Sequence, residues 1–110
     1  MAKGDFLGEF ELYVMLALDR LDDDAYGIRI RQEITERTGR EIVIGAVYAT
    51  LSRLEGKRLV RHRLSDPQPV PGGRARKIFE LTPPGSRALA HSTAMMSRMM
   101  HGWRPRTEGR

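Results

Sequence analysis

A chain of 110 residues, 40% hydrophobic and 30% charged, can build one small domain with a single modest core. It has no cysteine, which excludes a disulfide framework or thiolate metal site and fits a reducing cytoplasm, and its longest purely apolar run, Leu12–Leu18, is far too short to span a bilayer. The net charge of +5 is uneven: residues 1–44 hold 6 Lys/Arg against 10 Asp/Glu and residues 45–110 hold 13 against 4, a basic half that suits either a polyanionic partner or an Arg-rich solvated surface.

The N-terminus, with Lys3, Asp5 and Glu9, is not patterned as a secretory leader. The first predicted helix covers about Leu7–Leu21. Its stretch Leu12–Leu18 is apolar on nearly every side, which predicts burial on every side. One face meets the core. The other is covered by a partner subunit, which we favour, or by the remaining helices of the same chain. Asp22-Asp23-Asp24 ends the helix; these short carboxylates suit a turn, with Asp24 placed to cap the next helix rather than to hold a metal. The second helix runs from about Ala25 to Arg37, with Tyr26, Ile30 and Ile34 on one stripe and Gly39 as its stop. Ile42-Val43-Ile44 is either a small strand or a buried lead-in to the third helix.

The third helix spans about residues 45–55. Val47, Leu51 and Leu54 form its core stripe; Ala46, Ala49, Thr50 and Arg53 are assigned to the other side, with Tyr48 between. Small residues at 46 and 49 let a helix approach a groove closely, and Thr50 and Arg53 carry donors for phosphates or base edges. An ordinary solvent face is the commoner explanation of such a helix alone, but a basic hairpin follows it. Leu59–Leu64 and Arg76–Thr82 alternate with period two around a Pro/Gly-rich tip, and from Arg53 to Lys77 there are 8 Lys/Arg against 2 Asp/Glu. Gly72-Gly73 beside Arg74, Arg76 and Lys77 suits a tip lying along phosphates or in a minor groove; the plainer account is a charged edge that discourages aggregation. His62 reads as a packed or surface histidine. Thr82-Pro83-Pro84-Gly85 opens a last helix to about Trp103. There Leu89, Met96 and Trp103 recur every seven residues, with Ser92 and Met99 between, an a/d-like seam. The methionines give it an adaptable surface for a partner's first helix, or a border for a flat apolar ligand; packing without a ligand is the simpler of the two. Residues 104–110 read as a frayed tail.

No nucleophile–base constellation, phosphate-binding loop or dinucleotide fingerprint occurs, and His91 and His101 fall out of alignment on their helix, so neither catalysis, nor a metal, nor a cofactor is expected.

Four segments carry a family likeness: Leu7–Leu18, the Tyr26-Gly27 start of the second helix, Gly45–Val60, and Gly73–Gly85 with its Leu81-Thr82-Pro83-Pro84-Gly85 close. In this order and spacing the chain resembles the PadR family of bacterial transcriptional regulators over about residues 7–103. It departs at Ala49, where the family often has Pro, at Phe79, where it often has Tyr, and at Gly56-Lys57-Arg58, which shifts a turn glycine. The resemblance implies a mainly α winged helix–turn–helix with a two-stranded β wing. Residues 1–82 would form the DNA-binding domain, 83–103 a C-terminal dimerisation helix and 104–110 a flexible tail. It further implies a homodimeric repressor, cytoplasmic and nucleoid-associated, on double-stranded DNA with a near-palindromic operator, released by a small molecule or another signal. The candidate DNA contacts are Tyr26, Tyr48, Ala49, Thr50, Arg53, Arg74, Arg76 and Lys77. Tyr26 and the wing cations would hold phosphates; Thr50 and Arg53 would read bases. Leu12, Met15, Leu89, Met96, Met99 and Trp103 are candidates for the dimer contact or for a pocket taking a small apolar effector. The alternative reading is a winged-helix module that binds an acidic protein partner. No membrane association is expected.

Overall fold

The computed structural model describes residues 7–66 and 74–107. In chain order they form helix α1 (Glu9–Leu21), a turn of 3-10 helix (Asp22–Asp24), α2 (Gly27–Thr38), α3 (Ile44–Gly56), strands β1 (Val60–Leu64) and β2 (Lys77–Leu81), and α4 (Pro83–Met100). The strands pair antiparallel, from Val60 opposite Leu81 to Leu64 opposite Lys77. The fold is a mainly helical winged helix–turn–helix whose wing is this hairpin.

α1 runs through the middle of the core. Its Val14, Met15 and Leu18 join Ile30 and Ile34 of α2, Val47, Leu51 and Leu54 of α3, Val60, Phe79 and Leu89 in one buried cluster. Each such side chain contributes about 1.5–3 kcal/mol of burial. The all-round apolar character of Leu12–Leu18 is thus met largely within one chain. Leu12 and Tyr13 are half-buried, and Leu16 alone of that run is exposed. The expectation that a whole face of α1 awaits a partner is corrected to this narrower strip, because α2, α3, β2 and α4 all pack against the helix.

Helix ends follow local chemistry. The Gly8 amide donates to Glu11 Oε1 at 3.0 Å, tying down the start of α1. Asp24 does not cap α2 with its side chain. Tyr26 holds that position without a side-chain cap, and its amide donates to the Asp24 carbonyl at 2.9 Å. Gly39, with φ 73°, ends α2 and donates to the Thr35 carbonyl at 2.8 Å. The segment Ile42–Ile44 is not a strand: Ile42 and Val43 lead in and Ile44 is the first residue of α3, and burial is partial, with Ile42 and Ile44 packed on the core while Val43 is exposed.

α3 ends in a Schellman motif. The Leu59 amide donates to the Leu54 carbonyl at 3.0 Å and the Arg58 amide to the Glu55 carbonyl at 2.9 Å, with Arg58 itself at φ 62°. In the wing, period-two alternation is only partly kept. β1 buries Val60 alone, whereas β2 buries both Ile78 and Phe79. β2 packs against α1, the 3-10 turn and α4 as well as β1, and the Phe79 amide donates to the Ala25 carbonyl at 2.8 Å. Thr82 caps α4, accepting from the Gly85 amide at 3.0 Å, with the two prolines in the first turn. The Thr82 hydroxyl also donates to the Arg58 carbonyl at 2.7 Å and its amide to the Leu59 carbonyl at 3.0 Å. A Cβ at Gly85 would lie 1.9 Å from the Leu59 carbonyl oxygen, so this contact admits only glycine.

Candidate nucleic-acid interface

α3 buries Val47, Thr50, Leu51 and Leu54 and exposes Gly45, Tyr48, Ala49, Ser52 and Arg53. At 100° per residue these exposed positions form one ridge. Thr50 is 1% exposed and cannot reach a ligand, which corrects its assignment as a base reader. It lies three residues after Val47 and four before Leu54, inside the core stripe. Its hydroxyl instead accepts a hydrogen bond from Arg53 Nη2 at 3.0 Å and steadies that guanidinium. Ser52 is an exposed residue of this ridge that the sequence reading did not single out. Its signal was available: it falls three and four residues after Ala49 and Tyr48.

The ridge has an open groove on either side. On one side lie Tyr26, Ile28, Tyr48, Ala75, Arg76 and Lys77. The Arg76 guanidinium stands 4.5 Å over the Tyr26 ring, a cation–π contact that ties the wing to the start of α2. The Tyr48 phenol rests on Gly27, where a Cβ would come within 2.4 Å of Tyr48 Cζ. The wing cations divide into two sets. Arg61 pairs with Glu80 at 2.9 Å and Arg63 with Asp23 at 2.8 Å, whereas Arg74, Arg76 and Lys77 are exposed and form no ion pair among the described residues. Gly72-Gly73, the expected tip, lies outside the described residues.

The second groove is lined by Phe10, Arg40, Val43, Ala46, Ala49 and Arg53, with Glu41 as its one carboxylate. Arg40 meets Glu9 at 3.0 Å, but both side chains are more than half exposed, so the pair adds little and exchanges readily. A part-buried tie links the end of α3 to α1: Lys57 Nζ donates to Glu11 Oε2 at 2.9 Å. Burial pushes the Glu11 carboxyl up, but the Gly8 amide, the Lys57 ammonium and the field of Arg53 outweigh it and hold the group below the ordinary carboxylate range.

The six residues expected at a dimer contact or pocket do not stay together. Met15 and Leu89 belong to the core of a single chain, so neither lines an open surface, and Leu12 is half-buried. Met96, Met99 and Trp103 are 52%, 81% and 64% exposed along the far half of α4 and just past its end. His62 packs on the Phe79 ring with centroids 5.7 Å apart, and its Nδ1 meets Glu55 Oε2 at 2.5 Å. Among the described residues no group of three or more His, Asp or Glu is placed to hold a metal, and no helix is long and apolar enough to cross a membrane.

The sequence model of the "Transcriptional regulator PadR-like family" matches residues 14–91. Transcriptional regulator Rv3488 of Mycobacterium tuberculosis (strain ATCC 25618 / H37Rv) is 38% identical over 68 residues, 62% of this chain and 59% of that protein. The chain therefore spans about three fifths of this relative's length. The structure superposes on that of a PadR-like transcription factor from Bacteroides fragilis with a TM-score of 0.68 at 25% identity, covering 84% of each chain. A PadR family transcription regulator from Clostridium difficile R20291 gives a TM-score of 0.68 at 25% identity, covering 86% of this chain and 96% of that one.

Proposed function

The chain belongs to the PadR-like family of transcriptional regulators, which are not enzymes, and from that premise we propose that it represses transcription as a homodimer bound to a near-palindromic operator. One observation carries the reading: the exposed ridge of α3 is flanked on both sides by grooves with cations, Arg76 and Lys77 on one and Arg40 and Arg53 on the other. A B-DNA major groove admits one helix between two phosphate strands, and cations on both sides of this ridge suit those strands. Tyr26, Arg74, Arg76 and Lys77 are assigned to phosphates. Tyr48, Ala49, Ser52 and Arg53 face the base edges, Ser52 taking the place first given to Thr50.

The exposed Met96, Met99 and Trp103 of the α4 segment, together with Leu16 of α1, supply the apolar surface for a second copy. That pairing would set the two α3 ridges about one helical turn of DNA apart. A small apolar effector held near Met96, Met99 and Trp103 is the proposed release signal. Protein and DNA would meet in the cytoplasm, at the nucleoid.

The test is a gel-shift series over salt concentration. Arg74→Ala combined with Lys77→Ala should weaken binding to all duplexes and flatten the salt slope by about 2. An unchanged slope rejects the wing assignment. Retention that is weak and blind to sequence in the unsubstituted protein would favour a module for an acidic protein partner instead.

A further inference from the structure

The lead-in to α3 holds a residue that local stability does not explain. Val43 occupies the N-cap position, where Ser, Thr, Asp or Asn would accept from the free amides, and α3 has no side-chain cap there. Val43 is also 73% exposed, while its neighbours Ile42 and Ile44 pack on the core. A β-branched apolar side chain at this point thus leaves the helix uncapped and puts hydrocarbon in water, a local conflict of the kind found at functional positions.

Val43 shares one open groove with Ala46 and Ala49, and the rims of that groove carry Arg40 and Arg53. Its lining also includes Ile42, the Glu41 carboxylate and Thr50, but Thr50 is 1% exposed and its hydroxyl accepts from Arg53, so the open methyl groups are those of Val43 and Ala49, with Ala46 half-buried beside them. Arg40 offers a cation suited to phosphate, and Arg53 a donor for a neighbouring base edge. Of the features that base pairs display in the major groove, one alone is apolar: the thymine 5-methyl group. We propose that Val43, with Ala46 and Ala49, reads the 5-methyl group of a thymine in each operator half-site. The proposal rests on the DNA-binding reading above and adds a base identity to it.

Duplexes selected by the full chain from a random-sequence pool supply the probe. Each is remade with deoxyuridine in place of thymidine, one position at a time, which removes only the methyl group. At one or two positions per half-site the loss should weaken binding about fourfold, the worth of one buried methyl. Val43→Ser restores a good N-cap, so the helix is not put at risk, and it should bind the thymine and uracil duplexes alike at those positions. Indifference of the unsubstituted protein to uracil at every position overturns the proposal. So does a Val43→Ser variant that keeps the full preference, since the methyl would then act through duplex shape or through another side chain. If the pool yields no duplex retained above random sequence, the DNA-binding reading itself falls and takes this proposal with it, a result distinct from a selected duplex that tolerates uracil throughout.

Discussion

Arg58 shows how much one residue's backbone can matter. Its φ of 62° is left-handed, and Asp22 is the only other non-glycine residue with positive φ among those described. The position is C′ of the Schellman motif that ends α3, where glycine is the usual occupant because it carries no Cβ. The glycine of this turn stands at 56 instead, inside the helix, where it brings backbone freedom and no compensation. Arg58→Gly should therefore raise stability by about 0.5–1 kcal/mol, the left-handed strain relieved less the unfolded-state entropy of a new glycine. Urea unfolding at fixed protein concentration measures it. A lowered midpoint would mean that contacts of the Arg58 side chain outweigh the strain. The carbonyl that receives the Thr82 hydroxyl is retained in the variant, so the join to α4 is not altered.

Between elements, the clearest electrostatic tie is Glu11 to Lys57, which fixes α3 against α1. The folded pKa of Glu11 is lowered, so its contribution is complete above the unfolded carboxylate value of about 4.3 and fades as pH falls through the folded value. Glu11→Gln should cost about 1 kcal/mol at pH 7, with the difference between the two proteins shrinking as pH falls below about 4.3 through the lowered folded value. An equal difference at pH 7 and throughout the acid range would show that charge is not what the carboxylate supplies. The order of helices and the hairpin were legible in the sequence because spacings of three to four and of two residues announce them, and the stops at Gly39 and the Thr82–Gly85 cap are written in residue type. Thr50 was misassigned because it sits at the border of the α3 stripe, where a single step of 100° decides burial. The division of the wing cations was not legible at all: Arg61 and Arg63 pair at the surface with Glu80 and Asp23, partners that only the hairpin register and the 3-10 turn bring near. The coverage of α1 was equally hidden, since it depends on four elements meeting one helix.

At the scale of the whole molecule, mass is distributed unevenly, with extents of 58 × 35 × 20 Å. The far half of α4 carries Met96, Met99 and Met100 into solvent, outside the core that Leu89 still joins. Because Met99 makes no part of that core, Met99→Glu should leave the chain folded while weakening the proposed self-association about tenfold or more, as read by light scattering over a concentration series. An unchanged mass distribution would place the second copy elsewhere. The root of α4 is held differently from its tip. The Thr82 hydroxyl and amide grip the Arg58 and Leu59 carbonyls, and Gly85 lies flush on the same peptide. α4, about 27 Å long, is therefore anchored at its root to the turn that leaves α3 and along its near half to α1 and β2. A tilt of about 5° about that anchor would move the tip by about 2 Å, so a load on the tip is borne first by the turn at Arg58 and Leu59.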